Sequence, residues 1–170
     1  MTLNSGAAAI VLSAVLTALL AWAAISDIRD RKIPNLVVLA MLALFIAWTL
    51  VGPSVALGGA LAAGGIGLAV CYVLYATSII GAGDAKLFAA AALFAGLGYL
   101  PTLALATVLA GGAIAAVSIL TRPRRALVML HLRGKGDFGR GIPYGVAIAI
   151  GGVFVQWGRL LHLIQPPSFG

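Results

Sequence analysis

The chain has 170 residues, of which 62% are hydrophobic and only 9% charged, and its mean hydropathy is +1.13. A composition this apolar excludes a soluble globular domain and predicts an integral membrane protein. The formal net charge of +7 is concentrated in short segments between apolar runs, as in cytoplasmic loops, so it does not indicate binding to nucleic acid.

Uncharged stretches of sufficient length predict the membrane-spanning helices, since a hydrocarbon core about 30 Å thick takes roughly 20 helical residues. The first span lies in residues 1–26. It has no positively charged n-region and is longer than the apolar part of a signal peptide, so we interpret it as a retained helix. Residues 33–83 are long enough for two more spans, which Gly52-Pro53-Ser54 would divide by a turn.

Residues 87–121 form an apolar run of 35 residues that contains helix-breaking residues. Gly96, Gly98 and Pro101 interrupt this apolar run, which therefore predicts either two short helices or one helix and a re-entrant segment. A last span is expected at roughly Gly141 to Ile164.

The placement of basic residues favours six spans, because Lys and Arg concentrate in short cytoplasmic loops. With six spans, only Arg159 lies near the opposite face. The basic residues that share the cytoplasmic side are Arg29, Arg31, Lys32, Lys86, Arg122, Arg124, Arg125, Arg133, Lys135 and Arg140. We therefore predict an all-α, polytopic membrane protein of about six transmembrane helices in one domain, residues 1–170, with both termini non-cytoplasmic.

The largest basic loop, around residues 122–140, is predicted to lie on anionic lipid headgroups, in part as a short interfacial helix. No metal ion or other cofactor is expected. Cys71 is the one cysteine and lies inside the third span, while His131 and His162 have no partner at metal-ligand spacing. The serines have no recognisable nucleophile context either.

The four acidic residues are all Asp, and two of them lie where apolar spans end. Asp27 follows the first span in SDIRDRKIPN, and Asp84 closes the third in SIIGAGDAKL. Acids held against a bilayer are costly and are candidates for function. Spans one and three run in the same direction, so both acids are expected at one membrane face. Two carboxyl groups in a partly dry site cannot both ionise easily, which is the basis of aspartic proteolysis.

Each acid also has a structural interpretation. The flanking Arg29, Arg31 and Lys32 allow Asp27 simply to balance charge at the interface, and Asp84 could be an N-terminal helix cap. Capping does not explain the two glycines before Asp84. Asp30 and Asp137 lie among basic residues and are predicted to form solvated ion pairs.

At these motifs the chain resembles the type IV prepilin peptidases, GxGD-type membrane aspartic proteases of bacterial inner membranes with archaeal preflagellin relatives. The resemblance includes an Asp seven residues before the Pro of Ile-Pro-Asn, here Asp27 and Pro34. It also includes GAGDAKL at 81–87 and Ile-Pro-Tyr-Gly at 142–145. It implies that Asp27 and Asp84 are the catalytic pair.

The resemblance also implies a substrate and a location. The substrate would be a prepilin or pseudopilin whose hydrophilic leader stays in the cytoplasm, cleaved after a Gly at the cytoplasmic boundary of the inner membrane. The chain has no domain with paired CxxC motifs, as long members of the family do. It is similar to the short, peptidase-only form of Flp-type, tight-adherence pilus systems, so methylation of the pilin is not expected.

Further residues are predicted to bind substrate or to shape the site. Gly81 and Gly83 would let a substrate strand approach closely. Lys86 would bias the ionisation of Asp84, or be an ordinary interfacial lysine. The remaining candidates are Pro34 and Asn35, which start the second span, and Pro143 and Tyr144, which either dock substrate or simply start the last helix with an interfacial aromatic.

Two rival functions come from other classes of protein. A small proton- or ion-coupled carrier would also need membrane acids, but near the midplane and on broken helices, where no acid of this sequence falls. A non-enzymatic membrane component of pilus assembly is the second alternative.

Overall fold

The computed structural model describes residues 3–51, 56–121 and 143–165. These residues form helices and no strand, which confirms the all-α prediction for them. The helices are α1 (Leu3–Asp30), α2 (Asn35–Val51), α3 (Leu57–Ala76), α4 (Ala82–Thr121) and α5 (Tyr144–Leu160). The predicted turn at residues 52–54 lies outside the described residues. The basic loop at residues 122–140 also lies outside the described residues, together with His131, Asp137 and the predicted contact with lipid.

Three helical stretches are long and apolar enough to cross a membrane: Gly6–Asp30, Leu57–Ala76 and Ala82–Ser118. Helix α2 is apolar but shorter, at 17 residues, or about 25 Å at 1.5 Å per residue. Large apolar side chains are widely exposed on these helices, as far as 77% for Leu50 and 79% for Leu120. An exposed surface of this kind suits a lipid environment, and the protein is a membrane protein.

Helix α4 is two helical arms joined by a bend at Gly96. The backbone there has φ 69° and ψ 172°, a conformation that is outside the helical region and that side-chain-bearing residues rarely adopt. The first arm covers residues 82–95 and the second arm covers residues 97–121. The interruption that the sequence predicts near Gly96, Gly98 and Pro101 therefore occurs at the first of these residues.

The first arm runs parallel to α5. Near the middle of α5, a Cβ added at Gly152 would lie 3.9 Å from the Cβ of Ala91. Toward the end of α5, Arg159 contacts the carbonyl of Phe94. Residue numbers therefore rise together along this arm and along α5.

The second arm runs back along α5 in the opposite direction. Thr107 lies against Gly151, where an added Cβ would be 2.6 Å from the Thr107 hydroxyl oxygen. Four residues later, Gly111 lies opposite Ala147, with an added Cβ 3.6 Å from the Ala147 Cβ. The chain thus reverses at Gly96, and two helical arms are present rather than one straight helix.

The described chain consequently has six helical segments that alternate in direction. Helix α1 is antiparallel to α5, with Asp27 at the start of α5 and Ser13 near its end. Helix α2 is parallel to the first arm, and α3 is antiparallel to it. Six segments agree with the predicted number of spans. It stays a prediction that each of the six segments crosses the bilayer and that both termini are non-cytoplasmic.

Arg159 stabilises the bend in α4. Its Nη1 donates hydrogen bonds to the carbonyl oxygens of Phe94, at 3.0 Å, and Ala95, at 3.4 Å. The guanidinium carbon also lies 5.3 Å from the centre of the Tyr99 ring. Carbonyl groups at the end of a helical arm lack helical partners, and a cation nearby satisfies them. This contact accounts for the one basic residue that the sequence places away from the cytoplasmic loops.

Polar side chains fix the register of α1 on α5 at the end far from Asp27. Gln156, which is 5% exposed, donates to the hydroxyl of the buried Ser13 at 2.8 Å. Beside it, the Trp157 indole donates to the Thr17 hydroxyl at 2.9 Å. Hydrogen bonds between helices in a membrane contribute roughly 0.6–2 kcal/mol each. The two bonds therefore hold the helices in one alignment.

The bend at Gly96 gives a stability prediction. A Cβ meets nothing within 4 Å at either Gly96 or Gly112, and only Gly96 has a positive φ. Gly96→Ala should therefore lower the free energy of unfolding by about 1–3 kcal/mol through backbone strain alone. The matched Gly112→Ala should be neutral or stabilising by up to about 1 kcal/mol. Unfolding in sodium dodecyl sulfate, followed by circular dichroism, measures both. Equal stability of the two variants would contradict the strained bend.

Candidate active site

Asp27 lies near the end of α1 and is 7% exposed. Its Oδ2 accepts a hydrogen bond from the backbone N–H of Gly145, in the first turn of α5, at 2.8 Å. A Cβ added at Gly145 would lie 2.9 Å from that oxygen and 3.0 Å from the Asp27 Cβ. The carboxylate is thus held by the backbone of another helix, which a charge-balancing residue at the interface would not require.

Asp84 lies in the first turn of α4 and is half-buried. Its Oδ2 accepts a hydrogen bond from the backbone N–H of Gly81 at 3.1 Å. A carboxylate three residues into a helix that bonds the N–H before it is a capping interaction. The capping interpretation of Asp84 is therefore correct as local structure. It fixes one oxygen, and no described residue bonds the other.

The structure brings the two acids to the same end of the helix bundle. A Cβ added at Gly83 would lie 3.2 Å from the Cβ of Ile33, in the segment that connects α1 to α2. The C-terminal end of α1 and the start of α4 are therefore close together, because the segment that follows α1 contacts Gly83. Asp27 in the last turn of α1 and Asp84 in the first turn of α4 therefore lie at the same end of the bundle. We refer to this end of the bundle as the aspartate end.

The other predicted site residues also lie at the aspartate end. Asn35 begins α2 directly after Pro34, as the sequence predicts. Its side-chain oxygen accepts a hydrogen bond from the Lys86 ammonium at 3.3 Å, so Lys86 connects α4 to α2. Pro143 precedes α5 and Tyr144 begins it, with the Tyr144 ring edge 3.9 Å from a Cβ added at Gly111. The tyrosine thus packs beside the second arm.

Among the described residues, those that the sequence sets aside donate no hydrogen bond to either carboxyl group. Asp30 is exposed, one turn beyond Asp27. Cys71 is buried within α3, and the exposed His162 follows the end of α5, far from both acids. Within residues 3–51, 56–121 and 143–165, no group of three or more His, Cys, Asp or Glu could hold a metal ion.

The contacts of Gly145 and Ile33 were not predicted. Gly145 belongs to the Ile-Pro-Tyr-Gly motif, but nothing in that motif indicates that its N–H reaches Asp27, 118 residues away. One general signal was present, because the first N–H groups of a helix have no partner within the helix and are available to an anion. The contact of Ile33 with Gly83 gave no signal in the sequence.

A model of the type IV leader peptidase family matches residues 14–116, more than half of the chain. The chain belongs to this family. The match confirms the resemblance to the prepilin peptidases and identifies the protein as a membrane peptidase whose family implies a prepilin substrate. It includes both acids, whereas Gly145 and α5 lie beyond it. Neither curated proteins nor solved structures gave a match.

A cysteine pair tests the contact at the aspartate end. With Cys71 replaced by Ala, Ile33→Cys and Gly83→Cys should form an internal disulfide under mild oxidation, because the two Cβ positions are within a few tenths of an ångström of the usual range. Protection of both thiols from a maleimide reagent measures the bond, with reduction restoring the labelling. Ile33→Cys combined with Gly65→Cys on α3 is the control and should stay reduced.

Proposed function

We propose that the protein is a membrane aspartic endopeptidase that removes the leader of a prepilin or pseudopilin, with Asp27 and Asp84 as its catalytic residues. One observation carries the proposal. Two carboxyl groups, far apart in sequence, lie at the same end of the bundle, and a glycine N–H holds one oxygen of each. Family membership supports the peptidase class.

The arrangement suits hydrolysis of a peptide bond by water. One ionised Asp takes a proton from the water as its oxygen attacks the scissile carbonyl carbon. The other Asp, protonated, hydrogen-bonds the carbonyl oxygen as negative charge develops there. When the tetrahedral intermediate collapses, the carbon–nitrogen bond breaks, and the first Asp passes the proton taken from the water to the leaving nitrogen. The carboxyl groups return to their starting state once the two products separate.

The substrate would approach from the cytoplasmic side of a bacterial inner membrane. Both acids lie at the ends of apolar helices, where a leader emerging from the bilayer would meet them. Backbone groups of Gly81 and Gly145 border the two carboxylates, so a small residue such as Gly suits the position before the scissile bond. Anionic headgroups remain the proposed partner of the basic loop at residues 122–140.

We further propose the short, peptidase-only role in Flp-type pilus systems, without methylation of the pilin. A proton- or ion-coupled carrier is less well supported. Carriers of that kind bind near the midplane, whereas Asp27 and Asp84 lie in the last and first turns of their helices. No described contact favours a non-enzymatic assembly component.

Substitution of the acids tests the proposal directly. Asp27→Asn and Asp84→Asn should each abolish processing of a co-expressed Flp-type prepilin, because either change removes a group that must exchange a proton. Leader loss is followed by gel mobility. Asp30→Asn is the matched control, since Asp30 is exposed on the same helix turn and should be dispensable. Asp137→Asn is expected to process normally as well.

The protease mechanism fails if stably inserted Asp84→Asn enzyme still cleaves. Loss of proton-coupled uptake in that variant, with processing intact, would instead favour the carrier. A scaffold would assemble pili with an unprocessed subunit, which the same gels detect.

The space before the scissile bond gives a second prediction. Replacing the Gly before the scissile bond of the substrate by Val should lower kcat/KM by at least about 100-fold, because the bordering glycine backbone leaves no room for a branched side chain. Cleavage of the purified prepilin in detergent measures it. Ala at the same position should be processed with an intermediate rate. Equal rates for Gly and Val would contradict a site bordered by backbone.

A further inference from the structure

We propose that Gly145 is the positioning residue of Asp27, so that docking of the first turn of α5 completes the candidate catalytic pair. This inference rests on the proposed function of Asp27. Its structural basis is the hydrogen bond from the Gly145 N–H to Asp27 Oδ2 at 2.8 Å, which joins residues that are 118 positions apart.

A side chain at position 145 would displace the Asp27 carboxyl group. The atoms nearest to an added Cβ all belong to Asp27: Oδ2 at 2.9 Å, Cβ at 3.0 Å and Cγ at 3.1 Å. The contact with Oδ2 is shorter than real Cβ atoms show and the other two are tight, so the Asp27 side chain would have to shift. The geometry is therefore specific to the placement of one carboxyl group.

The donor belongs to a helix N-terminus, where N–H groups have no partner within the helix. Gly145 is the second residue of α5, which begins at Tyr144. The bond therefore takes no hydrogen bond away from α5. It gives the buried Asp27 the partner that a polar group in an apolar surrounding requires. The N–H of Val146, the next residue of α5, also interacts with this carboxylate, so both contacts come from the first turn of one helix.

The two acids are thus positioned by different means. Asp84 is held by Gly81, three residues away in its own helix turn. Asp27 is held by a separate helix, whose alignment on α1 is fixed by the Ser13–Gln156 bond at the far end. The position of Asp84 depends on local structure, whereas that of Asp27 depends on the packing of α1 against α5.

Two alanine variants of α5 separate positioning from packing. Gly145→Ala should lower kcat about 10- to 100-fold with little change in KM, because the displaced carboxylate acts in the chemical step rather than in substrate binding. Gly151→Ala is the matched control. Its Cβ would be 2.6 Å from the Thr107 hydroxyl, a closer contact than the one at Gly145 and on the same helix, with no Asp27 atom among the three nearest to it. It should keep the wild-type kcat per folded molecule.

Cys71 reports the folded fraction, because its thiol is buried and should resist maleimide labelling until α3 separates from the bundle. Should Gly145→Ala fail to fold, a glycolic acid residue at position 145 removes the N–H and adds no atom. The same ester at position 151, which removes an ordinary helical bond, is its control. A selective fall in kcat for the position 145 ester supports the inference.

The outcomes distinguish the two proposals. If wild type cleaves, Asp27→Asn does not, and the position 145 variants keep normal kcat, the positioning role is overturned and the protease stands. If Asp27→Asn cleaves normally, the proposed catalytic role of Asp27 is overturned, and the inference about Gly145 is overturned with it. Equal losses of kcat for the variants at positions 145 and 151 would assign Gly145 to packing only.

Discussion

Close packing of α5 against its neighbours is the constraint on which the rest of the structure depends. Small residues on α5 let three segments approach it: α1 through Asp27 at Gly145, the first arm through Ala91 at Gly152, and the second arm beside Gly151. In a bilayer there is little hydrophobic force between helices, so association depends on close contacts and interhelical hydrogen bonds. The glycines of α5 make both possible.

The reversal at Gly96 allows two arms of α4 to use the same helix as a support. The first arm follows α5 in one direction and the second returns along it, and Arg159 of α5 satisfies the carbonyls that the bend exposes. This arrangement sets the start of the first arm, with Asp84, at the same end as the start of α5. The presence of both acids at one end of the bundle is thus linked to the bend at Gly96, which lies about twelve residues after Asp84.

Positioning of the acids by backbone N–H groups has a physical advantage in an apolar protein. A backbone N–H donor satisfies one oxygen of a buried carboxylate without adding a second formal charge to the apolar surrounding. Each carboxylate accepts a hydrogen bond from the backbone of a glycine, where no side chain separates the two groups. The family match ends before α5, so a contact that completes the candidate pair involves a helix outside the matched region.

The sequence by itself determined the class of protein, the helical segments and the two acids. Hydropathy sets the spans because each must be long and apolar enough for a bilayer, and the GAGDAKL and Ile-Pro-Asn motifs single out Asp84 and Asp27 among four acids. The interruption of α4 was also visible, as glycines in an apolar run. The sequence did not show whether the chain reverses at that interruption, because a reversed chain and a straight one are compatible with the same composition.

Only the tertiary structure decided which groups hold the acids. The bond of Asp27 to Gly145, the contact of Gly83 with Ile33, and the use of Arg159 at the bend join residues that are distant in the chain. Spacing and periodicity describe one helix at a time, so they carry no information on such pairs. These contacts between distant residues depend on how each helix is rotated and positioned against α5, and close packing determines that arrangement.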